Sequence, residues 1–224
     1  MAQVEVTLYR LDVPADEEAR LAGWLSPAEQ QRAAAFPQPV HRRRFVVRRG
    51  QLRQWLGAQL GLAPGDVVLA SDAMGKPHVP GWSGHFSASH SGERMALARA
   101  DAPVGCDIEA VQPDFPWADI ARHLFAPEEW QALAALPPPA GRQGFFRCWA
   151  RKEAFVKGLG LGLSHPLDSF AVSCGAEAQL LRGGEGWALA GCDLGESALA
   201  GPAALAVAVA GPLAGWRLVE ADGA

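Results

Sequence analysis

Asp107-Ile108-Glu109 sets two carboxylates two residues apart inside a stretch, Val104 to Val111, that alternates like a β-strand. Side chains at i and i+2 of a strand share a face, about 6.6 Å apart along the chain. Two carboxylates so placed repel one another unless a cation stands between them. Such oxygen ligands suit Mg2+, which keeps several waters and takes one or two carboxylates together with substrate phosphates. Alone, D-x-E is a weak signal, and an exposed acidic strand edge is the commoner explanation.

A second group is Trp149-Ala150-Arg151-Lys152-Glu153-Ala154-Phe155-Val156-Lys157. On a helix Trp149, Glu153 and Lys157 recur at i, i+4 and i+8 and share a face. An exposed Glu–Lys pair is common; here the pair stands beside a tryptophan on a helix that must be largely buried. Gly75-Lys76-Pro77 holds a lysine on a tight turn, suited to phosphate binding or to ordinary turn chemistry. Ser89-His90, within Phe86 to Gly92, invites a hydrolase triad. That reading is disfavoured: neighbours on a strand point to opposite sides, and no G-x-S-x-G elbow exists. Two phosphate donors fit better. Arg42, Arg43, Arg44, Arg48, Arg49 and Arg53 crowd one stretch. They suit a small anionic ligand, an acidic patch on a partner, or a solvated helix face.

The elements that must position these groups read as follows. Residues 4–11 form a strand. Ser26-Pro27-Ala28-Glu29 is a capping box opening a helix to about Phe36. Residues 40–60 form an amphipathic helix with its arginines outward. Strands follow at 67–70, 85–89, 95–100 and 104–111, the last two as a hairpin across Asp101-Ala102-Pro103. Helices run over 127–136 and 142–159, separated by a stiff Pro137-Pro138-Pro139 loop. Short strands near 168–173, 177–182, 186–190, 203–210 and 215–220 close the chain, the last fifty residues completing a second sheet. Each half reads strand, helices, strands. The pattern suggests an α+β, sandwich-like fold, a pseudo-twofold duplication of two similar subdomains, 1–103 and 104–224.

The bulk numbers bound the rest. The chain has 224 residues, 49% hydrophobic and 20% charged, with net charge −4. That is ordinary globular composition, and nothing in it suggests a nucleic-acid binder. Cys106, Cys148, Cys174 and Cys192 lack zinc-like spacing and read as free thiols of a reducing cytoplasm. The N-terminus has no apolar signal region. The most apolar run, Ala203 to Ala210, is too short for a bilayer. A cytoplasmic monomer with no membrane partner is expected.

Together the motifs resemble the phosphopantetheinyl transferase superfamily, in its larger monomeric, surfactin-synthetase-activating class. The matching segments are Gly75-Lys76-Pro77; Phe86-x-x-Ser89-His90-Ser91-Gly92; Val104-Gly105-Cys106-Asp107-Ile108-Glu109; Phe125-x-x-x-Glu129; and Trp149-x-x-Lys152-Glu153-Ala154-Phe155-x-Lys157-x-x-Gly160-x-Gly162-Leu163. The resemblance implies transfer of 4′-phosphopantetheine from coenzyme A to a serine of an apo acyl or peptidyl carrier protein, releasing adenosine 3′,5′-bisphosphate. It implies Mg2+, with Mn2+ as an alternative, on Asp107, Glu109 and Glu153. It implies coenzyme A contacts from Lys76, Ser89, His90 and Asp107, from Arg32 upstream, and from Arg44 by a less certain alignment. Lys157 matches the lysine that neutralises the diphosphate, and Glu153 the residue that takes the serine proton. Glu29 stands where some members carry a second basic contact, and Ser87 replaces a frequent asparagine. A non-catalytic coenzyme A- or carrier-binding module is the main rival; a Mg2+-dependent nucleotide hydrolase is a weaker one.

Overall fold

A computed structural model describes residues 1–195 and 201–221. The architecture is mixed α+β. Strand β1 (Ala2–Arg10) buries Val4, Val6 and Leu8 on one face and sets Thr7 and Tyr9 on the other, the period-2 pattern expected of a strand buried on both sides. Helix α1 (Ala15–Ala22) follows, then α2 (Pro27–Ala34), α3 (Pro39–Leu60), short strands β2 (Ala70–Ser71) and β3 (Pro77–His78), then β4 (His85–Ser91), β5 (Arg94–Ala100) and β6 (Val104–Ala110). The rest of the chain gives α4 (Trp117–Leu124), α5 (Pro127–Ala134), α6 (Pro138–Leu159), β7 (Ala171–Val172), β8 (Leu180–Arg182), β9 (Trp187–Leu194), β10 (Ala203–Ala210) and β11 (Leu213–Glu220). Among the described residues no helix is long and apolar enough to cross a membrane.

Two sheets carry the site, ordered β11-β1-β5-β4 and β6-β10-β9. Strand β10 shows why they pack as they do. Its Leu205, Val207 and Val209 meet β1 and β6 residues in the core between the sheets, while Ala204, Ala206 and Ala208 lie under α6. Small residues on that face let the helix approach closely. Gly105 on β6 carries the approach furthest: a Cβ there would stand 1.9 Å from the Ala154 carbonyl oxygen and 2.3 Å from the Gly158 nitrogen. Helix α3 covers the other face of the first sheet, packing Val47, Leu52, Trp55 and Leu56 on Leu11, Phe86, Met95 and Leu97.

The capping box is present: Glu29 N–H donates to Ser26 Oγ (3.3 Å), and Ser26 N–H donates to Glu29 Oε2 (2.9 Å). Several expectations change. The hairpin is β4–β5, turned at Gly92 with φ +59°; β6 instead pairs with β10. Residues 101–103 carry the chain from one sheet to the other, because Val104, Cys106 and Ile108 are needed in the core between them. The proline run is no loop. Pro137 is the N-cap and Pro138 and Pro139 form the first turn of α6, where a missing N–H costs nothing. The last strand, β11, leaves the second sheet and runs parallel to β1 in the first. Helices α1 and α4, eight residues each, had no expected counterpart. The arginines of α3 are not all outward: Arg53 is buried and Arg48 and Arg49 are half-buried.

Candidate active site

The close crossing of β6 on α6 sets Asp107 beside Lys157. Lys157 Nζ donates to Asp107 Oδ1 at 2.6 Å and to Ser89 Oγ at 2.9 Å, and Ser89 Oγ donates to the same Asp107 oxygen at 2.6 Å. Ser89 is not bonded to His90, which disposes of the hydrolase triad. Ser87, Ser89 and Ser91 alternate along β4 and bridge to β6. Cys106 N–H and Ala110 N–H donate to Ser87 Oγ and Ser91 Oγ, both at 3.0 Å, and Ser91 Oγ donates to Glu109 Oε2 at 2.9 Å. Serine hydroxyls thus join the two sheets where no backbone ladder does. The spacing i, i+2, i+4 was legible in the sequence, but the role of Ser87 and Ser91 was not.

The acids of this site are under strain from one another. Burial pushes Asp107 above the ordinary carboxylate range, against the pull of Lys157. Burial, then the Asp107 charge, lifts Glu109 to about 7. Glu153 rises for the same two reasons. Lys157 rises too, because Asp107 outweighs the cost of its burial. Asp107 Oδ2 and Glu153 Oε1 are buried with no hydrogen-bond partner. Among the described residues no three His, Cys, Asp or Glu side chains converge closely enough to hold a metal ion unaided. The donor chemistry still fits Mg2+: two orphaned carboxylate oxygens and mutually repelling acids would both be relieved by a hard cation completed by waters and phosphates.

Beside these acids lies a cavity of about 310 Å³ bounded by Arg32, Arg48 and Arg49 from α2 and α3, Gly75 and Pro77 from the turn, and Ser89 and His90 from β4. It shares Gly75, Pro77 and Ala88 with a pocket of about 240 Å³ reaching Lys76, Lys157 and Gly160. It shares Phe45, Arg48 and His90 with another of about 420 Å³ reaching His41 and Arg44. The result is one groove lined with cations. Burial, then Arg49 and Arg32, brings Arg48 down to about 10. Burial, then Arg48 and Lys157, brings His90 down to about 4. Of the readings open for the arginine stretch, a small anionic ligand fits Arg48 and Arg49, which line the groove rather than an outer face. Lys76 turns its ammonium away, donating to the carbonyl oxygens of Val104 (3.1 Å) and Lys157 (2.6 Å). Arg44 pairs with Asp12 at 3.0 Å. A groove of this kind suits an elongated polyanion ending at a buried cluster of acids and a lysine.

The 4′-phosphopantetheinyl transferase superfamily matches over residues 103–203. Over 221 residues, 95% of this chain and 90% of the relative, the sequence is 34% identical to 4′-phosphopantetheinyl transferase HetI of Nostoc sp. (strain PCC 7120 / SAG 25.82 / UTEX 2576). The chain belongs to the 4′-phosphopantetheinyl transferase superfamily. It is also 30% identical to 4′-phosphopantetheinyl transferase Sfp of Bacillus subtilis (strain 168), over 74% of this chain and 73% of that one. A further Bacillus subtilis 4′-phosphopantetheinyl transferase is 33% identical over 70% of each. Within the matched region two motif residues of the transferase have purely internal partners. Glu129 and Lys152 pair at 2.8 Å with both side chains wholly buried. Lys152 also donates to the Leu167 and Phe170 carbonyls, and Glu129 accepts from Val172 N–H. They fasten the segment after α6 to that helix.

Proposed function

We propose that this transferase moves the 4′-phosphopantetheine arm of coenzyme A to a serine of an apo acyl or peptidyl carrier protein. The observation that carries the reading is the Asp107–Lys157–Ser89 cluster at the end of a cation-lined groove. The groove takes the nucleotide, with Arg32, Ser89 and His90 beside its phosphates and Arg44 at the far end. Asp107, Glu109 and Glu153 would hold Mg2+, with Mn2+ as the alternative metal, and a bound ion would supply positive charge to the diphosphate and its leaving group. Lys157 holds a positive charge on the same oxygens. The carrier serine oxygen attacks the phosphorus next to pantetheine; the bond to adenosine 3′,5′-bisphosphate breaks and that group leaves. Glu153, directly or through a water, takes the serine proton; because a metal-bound carboxylate is a weaker base, its role as ligand stands ahead of its role as base. Positioning and charge supply most of the catalysis.

The finer architecture belongs to the same reading: subdomains 1–103 and 104–224 related by a pseudo-twofold duplication, with the site in their cleft. The repeated capped-helix and long-helix pairs support it, although β11 returns to the first sheet. Both walls of the groove come from one chain, which favours a monomer. The four free cysteines favour a reducing cytoplasm.

The test is intact mass of several apo carrier proteins after incubation with coenzyme A, Mg2+ and the transferase. One added phosphopantetheine, lost with Asp107→Ala or a chelator, is the expected result. Binding of coenzyme A without transfer to any carrier would favour a binding module. Steady cleavage of coenzyme A without carrier would favour a hydrolase. Glu153→Gln separates roles: retained metal affinity with lost turnover supports the base.

A further inference from the structure

Strand β4 ends the first sheet and β6 begins the second, and no backbone ladder joins them. Where β6 faces β4, its N–H groups still need acceptors. Ser87 Oγ takes the Cys106 N–H and Ser91 Oγ takes the Ala110 N–H, each at 3.0 Å. The two serines lie four residues apart on one face of β4 and do the same work for the fold.

They differ in where the hydroxyl proton goes. Ser91 Oγ donates to Glu109 Oε2 at 2.9 Å. Among the described residues Ser87 donates to no carboxylate. A hydroxyl has one proton to give. With the Ala110 N–H already on the Ser91 oxygen, that proton is left for Glu109. Ser91 is itself held in place by a two-residue turn, pairing with Arg94 across Gly92, at φ +59°, and Glu93.

The three acids of the site are secured very differently. Asp107 receives Lys157 and Ser89 on one oxygen. Glu153 keeps a buried oxygen with no hydrogen-bond partner. Among the described residues Glu109 is bound by one neutral hydroxyl and by no cation. That bond engages Oε2, leaves Oε1 without a hydrogen bond, and restrains a side chain that would otherwise sample several rotamers.

We infer that Ser91 is a positioning residue: its hydroxyl, fixed by the Ala110 N–H, sets the Glu109 carboxylate beside Asp107 where a hard cation is taken up. Asp107, Glu109 and Glu153 are the metal set of the proposed function, on which this assignment rests. Ser87 is the natural control, because it makes the same bond to β6 and touches no acid of the site.

Mn2+ gives a readout that needs no turnover. It is titrated alone into the unaltered protein, Ser91→Ala, Ser91→Thr and Ser87→Ala, and the free ion is followed by electron paramagnetic resonance. Urea unfolding of the same four proteins measures the contribution to the fold. Both alanine variants should lower the urea midpoint by a similar amount, since each leaves one β6 N–H without its acceptor. Only Ser91→Ala should weaken Mn2+ binding, by about 10- to 100-fold, the usual effect of removing a group that orients a metal ligand. Ser91→Thr keeps the hydroxyl and suits a strand, so it should recover most of that loss. Equal Mn2+ affinity in Ser91→Ala and the unaltered protein would overturn the inference and leave the metal set standing. Equal weakening in Ser87→Ala and Ser91→Ala would also overturn it, because general support of the two sheets would then be the cause. No Mn2+ binding by the unaltered protein would overturn the proposed metal set and the inference with it.

Discussion

Helix pairs α2–α3 and α5–α6 are built to one plan and put to different uses. Both long helices have 22 residues, begin at a proline and end at a left-handed glycine, Gly61 or Gly160. Each is preceded by a short helix whose third residue is a buried glutamate, Glu29 or Glu129. Each glutamate reaches back to the N-terminal N–H of its own helix and pairs with a cation fourteen residues into the long one, Arg53 or Lys152. What differs lies within about a turn and a half. On α3 the neighbouring turn offers Arg48 and Arg49 to the groove; on α6 it offers Glu153 and Lys157 to the acids of β6. Under the proposed function, the same buried anchor serves binding on α3 and chemistry on α6.

The widest separation between the halves should come from turnover. Lys157→Ala is expected to lower kcat by about 100- to 1000-fold, the usual loss when one preorganised charge is removed from a transition state. Arg32→Ala, on the other wall, should raise KM for coenzyme A by about tenfold with kcat little changed. Matching losses of kcat in both variants would erase the distinction. The anchors should differ as well. Lys152→Met leaves Glu129 without a counter-charge in a dry site, served only by the Ala126 and Val172 N–H groups, so unfolding in urea should show a loss of about 3–5 kcal/mol. Arg53→Met should cost less, about 2 kcal/mol, because Arg49 and Ser26 N–H still serve Glu29. Pairing Lys152→Met with Glu129→Gln should recover more than half of the first loss. If it recovers none, the buried pair is not the cause.

Close glycine contacts sharpen the contrast further. A Cβ on Gly50 would meet Leu21 Cβ at 2.6 Å, where α3 packs on α1. A Cβ on Gly105 would meet the α6 backbone even more closely. Gly50→Ala and Gly105→Ala should each destabilise by about 1–3 kcal/mol through overpacking. Only Gly105→Ala should also lower kcat, since that contact alone sets Asp107 against Lys157.

Much of this was legible in residue order. The capping box at Ser26 follows from side-chain geometry within four residues, and the strand bearing Asp107 and Glu109 follows from alternation. Helix α6 was legible in its periodic part, yet its first turn was not, because three prolines in a row look like a loop unless one becomes the cap. The destination of β6 and β11 could not be read locally. Both are apolar strands, and which sheet each joins depends on partners about a hundred residues away or more, Val104 on Val209 and Leu213 on Ala2. The inward turn of Arg48, Arg49 and Arg53 was missed for a related reason. Arg49 and Arg53 read as surface residues until their acid partner, Glu29, is brought to them by the fold, and Arg48 until the cavity wall forms around it.

The smallest expected effect separates the anchors by acid. Burial alone would raise the Glu29 carboxyl, but Ser26 N–H, Arg53 and Arg49 outweigh it and hold the group below its ordinary value. A depressed carboxylate contributes stability that is complete above the ordinary carboxylate range and fades as pH falls through the folded value. The urea midpoint of the unaltered protein should therefore drop more steeply below about pH 4.5 than that of Glu29→Gln, which has no proton to gain there. Other depressed acids, such as Asp12 and Asp193, are common to both proteins and cancel in the comparison. Parallel profiles down to pH 3 would mean that Glu29 is no better held folded than unfolded. Its pairing with Arg53 would then be a matter of position alone, and the kinship of the two anchors would be geometric rather than energetic.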